Sequence, residues 1–304
     1  MEKFEITILG CGCAVPTTRH NPSAQIVNIR EKLSLVDCGE GTQLQIRQNK
    51  AKFMKIQNIF ITHTHGDHCF GLLGLISSFG LLGRIAPLHV FAPETYKELF
   101  QAQMDFFCQK LEYDVIFHPV ATEEHQLLFE DRSMSVYSIP LKHRVPCCGY
   151  LFKEKPTLPH IKRDMIDFYN IPTSEINNIK NGKDWILPDG TIIPNSHLTT
   201  PAEPIRSYAY CSDTLYNTSI IPLLEGVTLL YHEATFGNDR KERAKQTFHS
   251  TSEQAATIAK KCHANQLLIG HYSAHYPDST ILIKEAQTIF PNTQGAEEGM
   301  IINL

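Results

Sequence analysis

The most informative stretch of the chain reads His63-Thr64-His65-Gly66-Asp67-His68. It follows an apolar, β-branched run at 56–62, which predicts a buried strand. Alternate residues of an extended segment face the same way, so the first two histidines can bind one metal ion. The glycine allows a sharp turn, which would direct the aspartate and the last histidine toward a second metal. Imidazole and carboxylate ligands suit zinc and its first-row neighbours, whereas a polar turn with surface histidines accounts poorly for this density.

Composition places the chain among ordinary soluble proteins. Its 304 residues are 42% hydrophobic and 20% charged, with a net charge of −4 and a pI near 6.4. That balance argues against a sequence-independent nucleic-acid coater, which needs an excess of Lys and Arg, although it leaves room for a local basic patch. Nine cysteines without a Cys-x-x-Cys pair favour reduced thiols. The start has no signal-peptide pattern and no apolar stretch has membrane-spanning length, so the sequence predicts a cytoplasmic protein without a membrane partner.

Strand and helix patterns alternate along most of the chain. β-rich runs predict strands, and helical patterns follow several of them, with Pro93 fitting the first turn of one helix. This alternation predicts an α/β layered architecture. Strands are expected near residues 4–9, 25–30, 33–37, 56–62, 86–91, 115–118, 134–139, 148–153, 206–211, 227–231 and 266–270, and helices near 42–49, 69–82 and 93–109.

Residues 152–204 break this rhythm. The segment is polar, weakly periodic and dotted with proline, as in Ile171-Pro172 and Leu187-Pro188-Asp189-Gly190. A structureless loop of this length inside a compact domain is uncommon and usually functional. We interpret the segment as an arm that projects from the body to hold substrate; the alternative is a folded-back subdomain with no role of its own.

Three further candidate ligands lie where predicted strands end. His143, Asp213 and His271 each follow a strand pattern, and strand ends are where α/β proteins gather side chains into a crevice. Any one of them alone would more often be structural or solvent-facing than a ligand. Beside the first motif, however, the three complete two metal sites economically.

The order His-x-His-x-Asp-His, then His, Asp and His, resembles the metallo-β-lactamase fold superfamily of dinuclear metal hydrolases. Further segments narrow the likeness to the short form of ribonuclease Z, the tRNA 3′-processing endonuclease, along nearly the whole chain. The metal motif is common to the superfamily, whereas the Gly-Glu-Gly-Thr-Gln, His-Glu-Ala-Thr and His-Ser-Thr segments single out this branch. The segments that carry the likeness are 9–12, 15–23, 37–43, 62–68, 232–235 and 249–251.

This resemblance implies one α/β catalytic domain over 1–304, built as a four-layer αββα sandwich, with a substrate-binding arm inserted at 152–204. It also implies two Zn²⁺ per subunit, with Mn²⁺ as the alternative metal. Two metals about 3.5–4 Å apart can share a hydroxide that attacks the phosphodiester, and can clamp its oxygens. Asp67 would also be the base that orients or deprotonates the attacking water. By resemblance, one metal is bound by His63, His65 and His143, the other by Asp67, His68 and His271, and Asp213 bridges the two.

Three more residues are candidates beside the metals. Ser250-Thr251-Ser252-Glu253 matches a capping box, so His249 is expected just before a helix N-terminus, a position that favours an anionic phosphate. An imidazolium there could donate a proton to the leaving ribose oxygen; the alternative is a histidine that only completes the cap. His232 and Glu233 follow an apolar strand pattern and could orient His249 or a metal ligand, or could form a buried structural pair.

The substrate implied by the resemblance is precursor tRNA, whose 3′ trailer would be removed to leave a tRNA 3′-hydroxyl. In the family the arm reaches the tRNA elbow, but here it lacks the usual Gly-Pro pair soon after Ile171-Pro172, and its charges are mixed. The loop at 16–21 resembles the one that meets the acceptor-stem end, so Arg19 is a candidate phosphate contact, with a plain surface arginine as the alternative. Burial against the sheet explains part of the apolar stretch at 72–82, and the resemblance implies a homodimer interface that explains the rest.

Two other functions fit parts of the pattern. The same metal centre could serve a phosphodiesterase or esterase of small molecules, with the arm as a lid or an oligomer contact. The missing Gly-Pro pair and the acidic pI are compatible with that alternative. The chain could also be an RNA-binding protein whose metal site has decayed, but the intact ligand set argues against it. The sequence therefore predicts a zinc-dependent endoribonuclease first.

Overall fold

The computed structural model describes residues 2–304, with the exception of the Phe53 side chain. The strands are β1 Phe4–Gly10, β2 Ala24–Ile29, β3 Lys32–Val36, β4 Ile56–Phe60, β5 Leu88–Pro93, β6 Val115–Val120, β7 Leu127–Glu130, β8 Met134–Pro140, β9 Cys148–Glu154, β10 His160–Ile161, β11 Trp185–Ile186, β12 Ile192–Ile193, β13 Thr199–Thr200, β14 Ser207–Cys211, β15 Leu229–Glu233, β16 Gln266–Gly270, β17 Thr293–Gly295 and β18 Ile301–Asn303. The α-helices are α1 Thr42–Gln48, α2 Gly66–Cys69, α3 Leu72–Leu81, α4 Lys97–Phe107, α5 Arg163–Phe168, α6 Thr173–Lys180, α7 Asn195–Leu198, α8 Lys241–Thr247, α9 Ser252–Lys261 and α10 Thr280–Ile289. Short 3-10 helices cover Phe53–Lys55, Glu94–Tyr96, Thr218–Leu224 and Asn238–Arg240.

Two seven-stranded sheets carry the fold. The first has the strand order β18-β1-β2-β3-β4-β5-β6 and the second β17-β16-β15-β14-β9-β8-β7. Strands β3 to β6 are parallel neighbours in the first sheet, and β14, β15 and β16 are parallel neighbours in the second. Parallel strands end at the same edge of a sheet, so the residues that follow them are brought together there.

Neighbouring residues of the first sheet face two different cores. Ile8 packs in the core that also contains Tyr208 of the second sheet, whereas the next residue, Leu9, packs with Phe79 of α3. This alternation follows from the two-residue repeat of a strand. Helices α1, α3 and α4 contribute to the second of these cores, while α9 and α10 contact strands of the second sheet. The result is the predicted αββα sandwich.

Residues 154–205 form a compact unit apart from the unit made by 2–153 and 206–304. The segment is not structureless, because it contains α5, α6, α7 and the strand pairs β10–β13 and β11–β12. A small core stabilises it, made by Ile171, Ile179, Ile193 and Leu198. Its function as a substrate-binding arm stays a prediction.

Two helix predictions are wrong in detail. Pro93 ends β5, where it pairs with Val120, and it is the N-cap of the 3-10 helix Glu94–Tyr96, so the α-helix α4 begins only at Lys97. The helix predicted over 69–82 is divided into α2 and α3, because the Gly71 amide donates to the Cys38 carbonyl at 2.8 Å instead of to the preceding turn. Both differences arise from contacts with residues distant in sequence. Among the described helices, none combines the length and the apolar composition that crossing a membrane requires.

Candidate metal centre

Residues 61–65, which include His63 and His65, connect β4 to α2. His65 is the N-cap of α2, which places Asp67 and His68 in the first turn of the helix. Gly66 is not among the described glycines with positive φ. The chain therefore turns by starting a helix, not through the special glycine conformation that the sequence suggested.

Four ligand atoms converge at a first site. His65 Nδ1 lies 3.1 Å from His63 Nε2 and 3.2 Å from His143 Nε2. The Oδ2 atom of Asp213 lies 3.6 Å from His63 Nε2 and 3.8 Å from His143 Nε2. Ligands at about 2.0–2.2 Å from a tetrahedral zinc are about 3.3–3.6 Å apart, so these spacings fit one metal ion.

A second group of ligand atoms adjoins the first. The Nε2 atoms of His68 and His271 are 3.3 Å apart. Asp213 reaches both through its other oxygen, Oδ1, at 3.5 and 3.1 Å. Asp67 Oδ2 lies 3.4 Å from His68 Nε2 and 3.5 Å from His271 Nε2. Asp213 thus presents one carboxylate oxygen to each group.

The other ring nitrogen of four histidines is already occupied. His68 Nδ1 donates to Asp37 Oδ2 at 2.8 Å, and His143 Nδ1 donates to the Phe248 carbonyl at 3.0 Å. His63 and His271 direct Nδ1 to threonine hydroxyls, Thr62 Oγ1 at 3.0 Å and Thr235 Oγ1 at 2.9 Å. Such contacts fix the tautomer, leaving the Nε2 lone pair for a metal.

The two groups of ligand atoms bring acceptors together without a proton donor between them. Nitrogen lone pairs and carboxylate oxygens face one another within hydrogen-bond distance, yet the second ring nitrogen has already given its proton elsewhere. Acceptors that converge without a proton donor need a positive charge between them. The mixture of imidazole and carboxylate suits zinc and other first-row metals. The residues therefore fit a metal centre.

The pKa values of these histidines agree with that need. Burial lowers the pKa of His63 well below its usual value, and it also lowers the pKa of His143. Both are thus neutral, as metal ligands must be. In the second group burial opposes charge on His68 and His271, but Asp213 together with the other acidic neighbours outweighs burial and raises their pKa. The carboxylates of the second group therefore attract positive charge, which a bound metal ion would supply.

His249 lies next to the ligands and is bound to Glu233. Its Nδ1 atom lies 3.0 Å from Glu233 Oε1 and 4.0 Å from Asp213 Oδ2. Burial lowers the pKa of His249, but the Glu233 and Asp213 carboxylates outweigh burial and raise it overall. Glu233 is fully buried and also accepts hydrogen bonds from the Thr214, Thr235 and Ser250 amides, each at 3.0 Å. The carboxylate is therefore rigidly held and orients the imidazole.

The helix start after His249 is shifted by one residue from the prediction. Thr251 is the N-cap of α9, and its capping-box partner is Gln254. The predicted pair was Ser250 with Glu253; Ser250 instead donates its hydroxyl to the Thr214 carbonyl at 2.7 Å. His249 still precedes a helix N-terminus.

Two other predicted residues lie outside the ligand cluster. His232 is fully buried, but its Nδ1 atom bonds the Glu233 carbonyl at 2.7 Å and its Nε2 has no partner among the described atoms. Among the described atoms, His232 therefore has no contact that would support its predicted role toward His249 or a ligand. Glu233, by contrast, contacts His249. Arg19 is exposed and donates to the Tyr276 carbonyl at 3.4 Å.

Sequence reasoning missed the residues that hold the ligands in place. Asp37 is fully buried and binds the His68 ring, the Thr62 amide and the Tyr210 hydroxyl. Thr235 connects His271 to Glu233. Both lie in segments that carried the family resemblance, and an aspartate that directly follows an apolar strand was the available signal for Asp37.

Two cavities open beside the centre. One of about 350 Å³ has His249 in its wall, together with Tyr216, Lys241 and Lys245. The other, of about 300 Å³, is lined by Asp67 and by Phe70 among others. A ligand in either cavity could reach residues of the centre.

Known proteins resemble the chain in sequence over its full length. A ribonuclease Z of Bacteroides fragilis is 54% identical over 304 residues, which is 100% of both chains. A ribonuclease Z of Porphyromonas gingivalis is 51% identical, again over 100% of both. A family model described as the anti-Pycsar protein Apyc1 matches residues 4–155.

Solved structures share the fold. The short form of human tRNase Z superposes with a TM-score of 0.70 at 24% identity, covering 98% of each chain. A metallo-β-lactamase fold protein of Bacillus subtilis gives a TM-score of 0.70 at 20% identity, covering 100% of each. Identity above one half over the whole length, together with this fold, shows that the chain belongs to the ribonuclease Z family.

Proposed function

We propose that this chain is a metal-dependent endoribonuclease that acts on precursor tRNA and removes its 3′ trailer, leaving a 3′-hydroxyl on the tRNA. The observation that carries the proposal is the 54% identity over the full chain to a protein named ribonuclease Z. The clusters of histidine and aspartate ligands support the dependence on a divalent metal.

The donor set supports two metal ions, with zinc as the expected metal and Mn²⁺ as the alternative. The first would be held by the atoms around His65 Nδ1, and the second by those around His271 Nε2. Asp213 would bridge them, since each of its oxygens faces one group. When bound, such metals activate water and neutralise the charge of the phosphate oxygens.

Asp67 is our candidate for orienting the attacking water. Its Oδ2 atom accepts a hydrogen bond from the Ala14 amide at 2.7 Å, so the carboxylate has a fixed position. Burial raises the pKa of Asp67, but His68 and His271 together outweigh burial and lower it, so the side chain is a carboxylate able to accept a hydrogen bond from water. Because Asp67 is also a proposed ligand, its substitution affects metal binding and water orientation together.

His249 is our candidate general acid. The Glu233 contact favours the protonated ring, and Nε2 of that ring carries a proton that can pass to the leaving 3′-oxygen. The leaving oxygen belongs to the last nucleotide that the tRNA retains. The cavity walled by His249 would therefore hold that nucleotide, with Lys241 and Lys245 near its phosphate.

The remaining contacts with tRNA are proposed from the resemblance. The unit at 154–205 would bind the tRNA away from the cut, and Arg19 would bind a phosphate near the acceptor end. The solvent exposure of Arg19 is compatible with that contact.

We further propose a homodimer and a cytoplasmic location. Leu72, Leu75 and Phe79 of α3 are buried within the chain, but Leu81 and Ile85 expose 86% and 81% of their surface. Exposed apolar side chains of this size favour a contact with a second copy. All nine cysteines are free, which fits a reducing compartment.

The test is cleavage of a 3′-extended precursor tRNA, with the products mapped to the nucleotide. We expect a single cut at the 3′ end of the mature tRNA that depends on added Zn²⁺ or Mn²⁺. Asp67→Ala protein should bind metal poorly and should not cut. A substitution of the exposed His263, which contacts Glu225, serves as the matched control and should cut like the unaltered chain.

Two outcomes would contradict the proposal. Intact precursor tRNA combined with rapid hydrolysis of a small phosphodiester would favour the small-molecule phosphodiesterase. A preparation that takes up no metal and cuts neither substrate would favour a decayed binding protein.

A further inference from the structure

A cysteine lies beside the second metal site. The ligand atoms of Cys13, Asp67 and His271 lie within 4.8 Å of one another. Nothing in the sequence pattern marks this thiol as a ligand, since Cys13 lies 54 positions before Asp67 and 258 positions before His271. The structure thus places a third type of metal-binding side chain at this edge of the centre.

Backbone hydrogen bonds hold the loop that carries Cys13 next to His271 and Asp67. The Cys13 amide donates to the Tyr272 carbonyl at 3.1 Å, directly after His271. The next amide, that of Ala14, donates to Asp67 Oδ2 at 2.7 Å. The backbone on either side of the thiol is therefore fixed to one ligand and to the neighbour of another.

Cys13 also differs from the other cysteines of the chain. All nine are free, and eight are buried, whereas Cys13 is partly exposed. Two donors at about 2.1 and 2.3 Å from one tetrahedral zinc ion are about 3.6 Å apart. Because the three ligand atoms lie within 4.8 Å of one another, a side-chain movement of about 1.2 Å or less brings the thiol to the distance expected for a shared metal.

We propose that Cys13 is a thiolate ligand of the metal bound by Asp67, His68 and His271. The inference rests on the metal centre of the proposed function. The thiol proton passes to solvent as the Cys13 sulfur binds the metal. A thiolate is a softer ligand than imidazole or carboxylate, so it favours zinc over manganese at this site. Cys13 would therefore bias the choice of metal without taking part in the attack on phosphate.

Cobalt substitution tests the inference by a spectroscopic signal that does not depend on activity. Metal-free full-length protein is titrated with Co²⁺ and its bound cobalt is counted by elemental analysis. We expect a near-ultraviolet sulfur-to-cobalt charge-transfer band to appear as the second site fills. Cys13→Ser should bind cobalt without that band, and Cys108→Ser, at the C-terminal end of α4, should keep it.

A thiol assay gives a second readout that is independent of the variants. In the metal-free protein one thiol should react quickly with a thiol reagent, and Zn²⁺ should protect it. Cys13→Ser should also weaken Zn²⁺ binding by at least about 10-fold while changing Mn²⁺ binding much less.

The inference is overturned if Cys13→Ser retains the band, or if the unaltered protein binds two cobalt ions without one. In that second case cleavage of precursor tRNA can still occur, so the proposed function survives. A protein that binds no cobalt at all removes both the ligand and the metal centre on which it rests.

Discussion

Four residues around the metal centre have left-handed backbone conformations although none of them is glycine. Ala14, Asp37, Phe248 and His271 have φ values of 41°, 57°, 61° and 62°. Such conformations cost about 1–3 kcal/mol each and persist only where surrounding contacts hold them. His271 is itself a proposed ligand, and the other three residues each form a hydrogen bond with a proposed ligand. The strain therefore indicates that the fold positions these side chains at some cost to stability.

His249 can be separated from the metal ligands by substitution. His249→Ala should lower kcat for precursor tRNA by about 10²–10⁴-fold, because the leaving oxygen loses its proton donor. The metal content should not change, since His249 is not among the seven proposed ligands. Parallel measurement of kcat and bound zinc checks both points; a kcat within about 3-fold of the unaltered protein would contradict the role.

A pH effect is expected at Glu298, away from the metals. Its Oε2 atom lies 3.0 Å from His20 Nδ1 and its Oε1 accepts the Asn21 amide at 2.8 Å. Burial raises the pKa of Glu298, but these hydrogen bonds outweigh it and lower the pKa overall. A carboxyl group with a depressed folded pKa stabilises the fold fully above its unfolded pKa of about 4.3, and this stabilisation is lost as pH falls through the folded pKa.

The variant Glu298→Gln measures that contribution. It should be less stable than the unaltered chain at pH 7, and the difference should shrink as the pH falls below about 4.3. Urea unfolding of both proteins across that range is the measurement. A difference that stays constant with pH would show that the carboxylate charge contributes nothing.

At the scale of elements, the strands on either side of the arm are already neighbours. Strands β9 and β14 pair antiparallel, with Lys153 opposite Ser207. The 154–205 unit therefore leaves and re-enters the second sheet at adjacent points. Its small hydrophobic core is separate from the cores that pack against the two sheets.

Deletion of residues 155–204 should leave the catalytic unit folded if a short Gly-Ser linker joins the two strands. We expect the KM for precursor tRNA to rise at least about 10-fold, because phosphate contacts remote from the cut are lost. Hydrolysis of a small phosphodiester should be unchanged, and this serves as the control. An unchanged KM for tRNA would show that the unit is a subdomain without a role in binding.

At the scale of the whole molecule, the metal centre joins the two sheets. His63 follows β4 of the first sheet, whereas Asp213 and His271 follow β14 and β16 of the second. A ligand that binds only the folded state stabilises it by mass action, by about 2.7 kcal/mol at 100 times its Kd. Metal should therefore stabilise the contact between the sheets as well as serve the reaction.

Removal of metal by chelation should lower Tm by at least about 5 °C, and added Zn²⁺ should restore it. Asp213→Ala, which lacks the carboxylate shared by both sites, should show little response to zinc. Calorimetry of the two proteins with and without zinc is the measurement. Equal Tm values for the chelated and the zinc-loaded protein would contradict the prediction.

Sequence alone determined the αββα fold and the family, and it also named the seven ligands that we propose. Most strands were predicted within a few residues, because hydrophobic alternation is a local property of the chain. The dense His and Asp motif carries its own chemistry, which is why its residues could be named without coordinates. The start of a helix at Pro93 and the single helix over 69–82 were predicted wrongly. The pairing of Pro93 with Val120 decided the first, and the hydrogen bond to the Cys38 carbonyl decided the second.

Only the tertiary structure decided which residues support the ligands. Asp37 and His68 are 31 positions apart, and Glu233 and His249 are 16 apart. No periodic pattern connects such residues, because each contact exists only when strand ends and loops that are distant in the chain meet in the folded protein. The proximity of Cys13 to His271 has the same origin. Local patterning therefore specified the elements and the reactive residue types, and the assembly of strands and loops in the folded chain specified their partners.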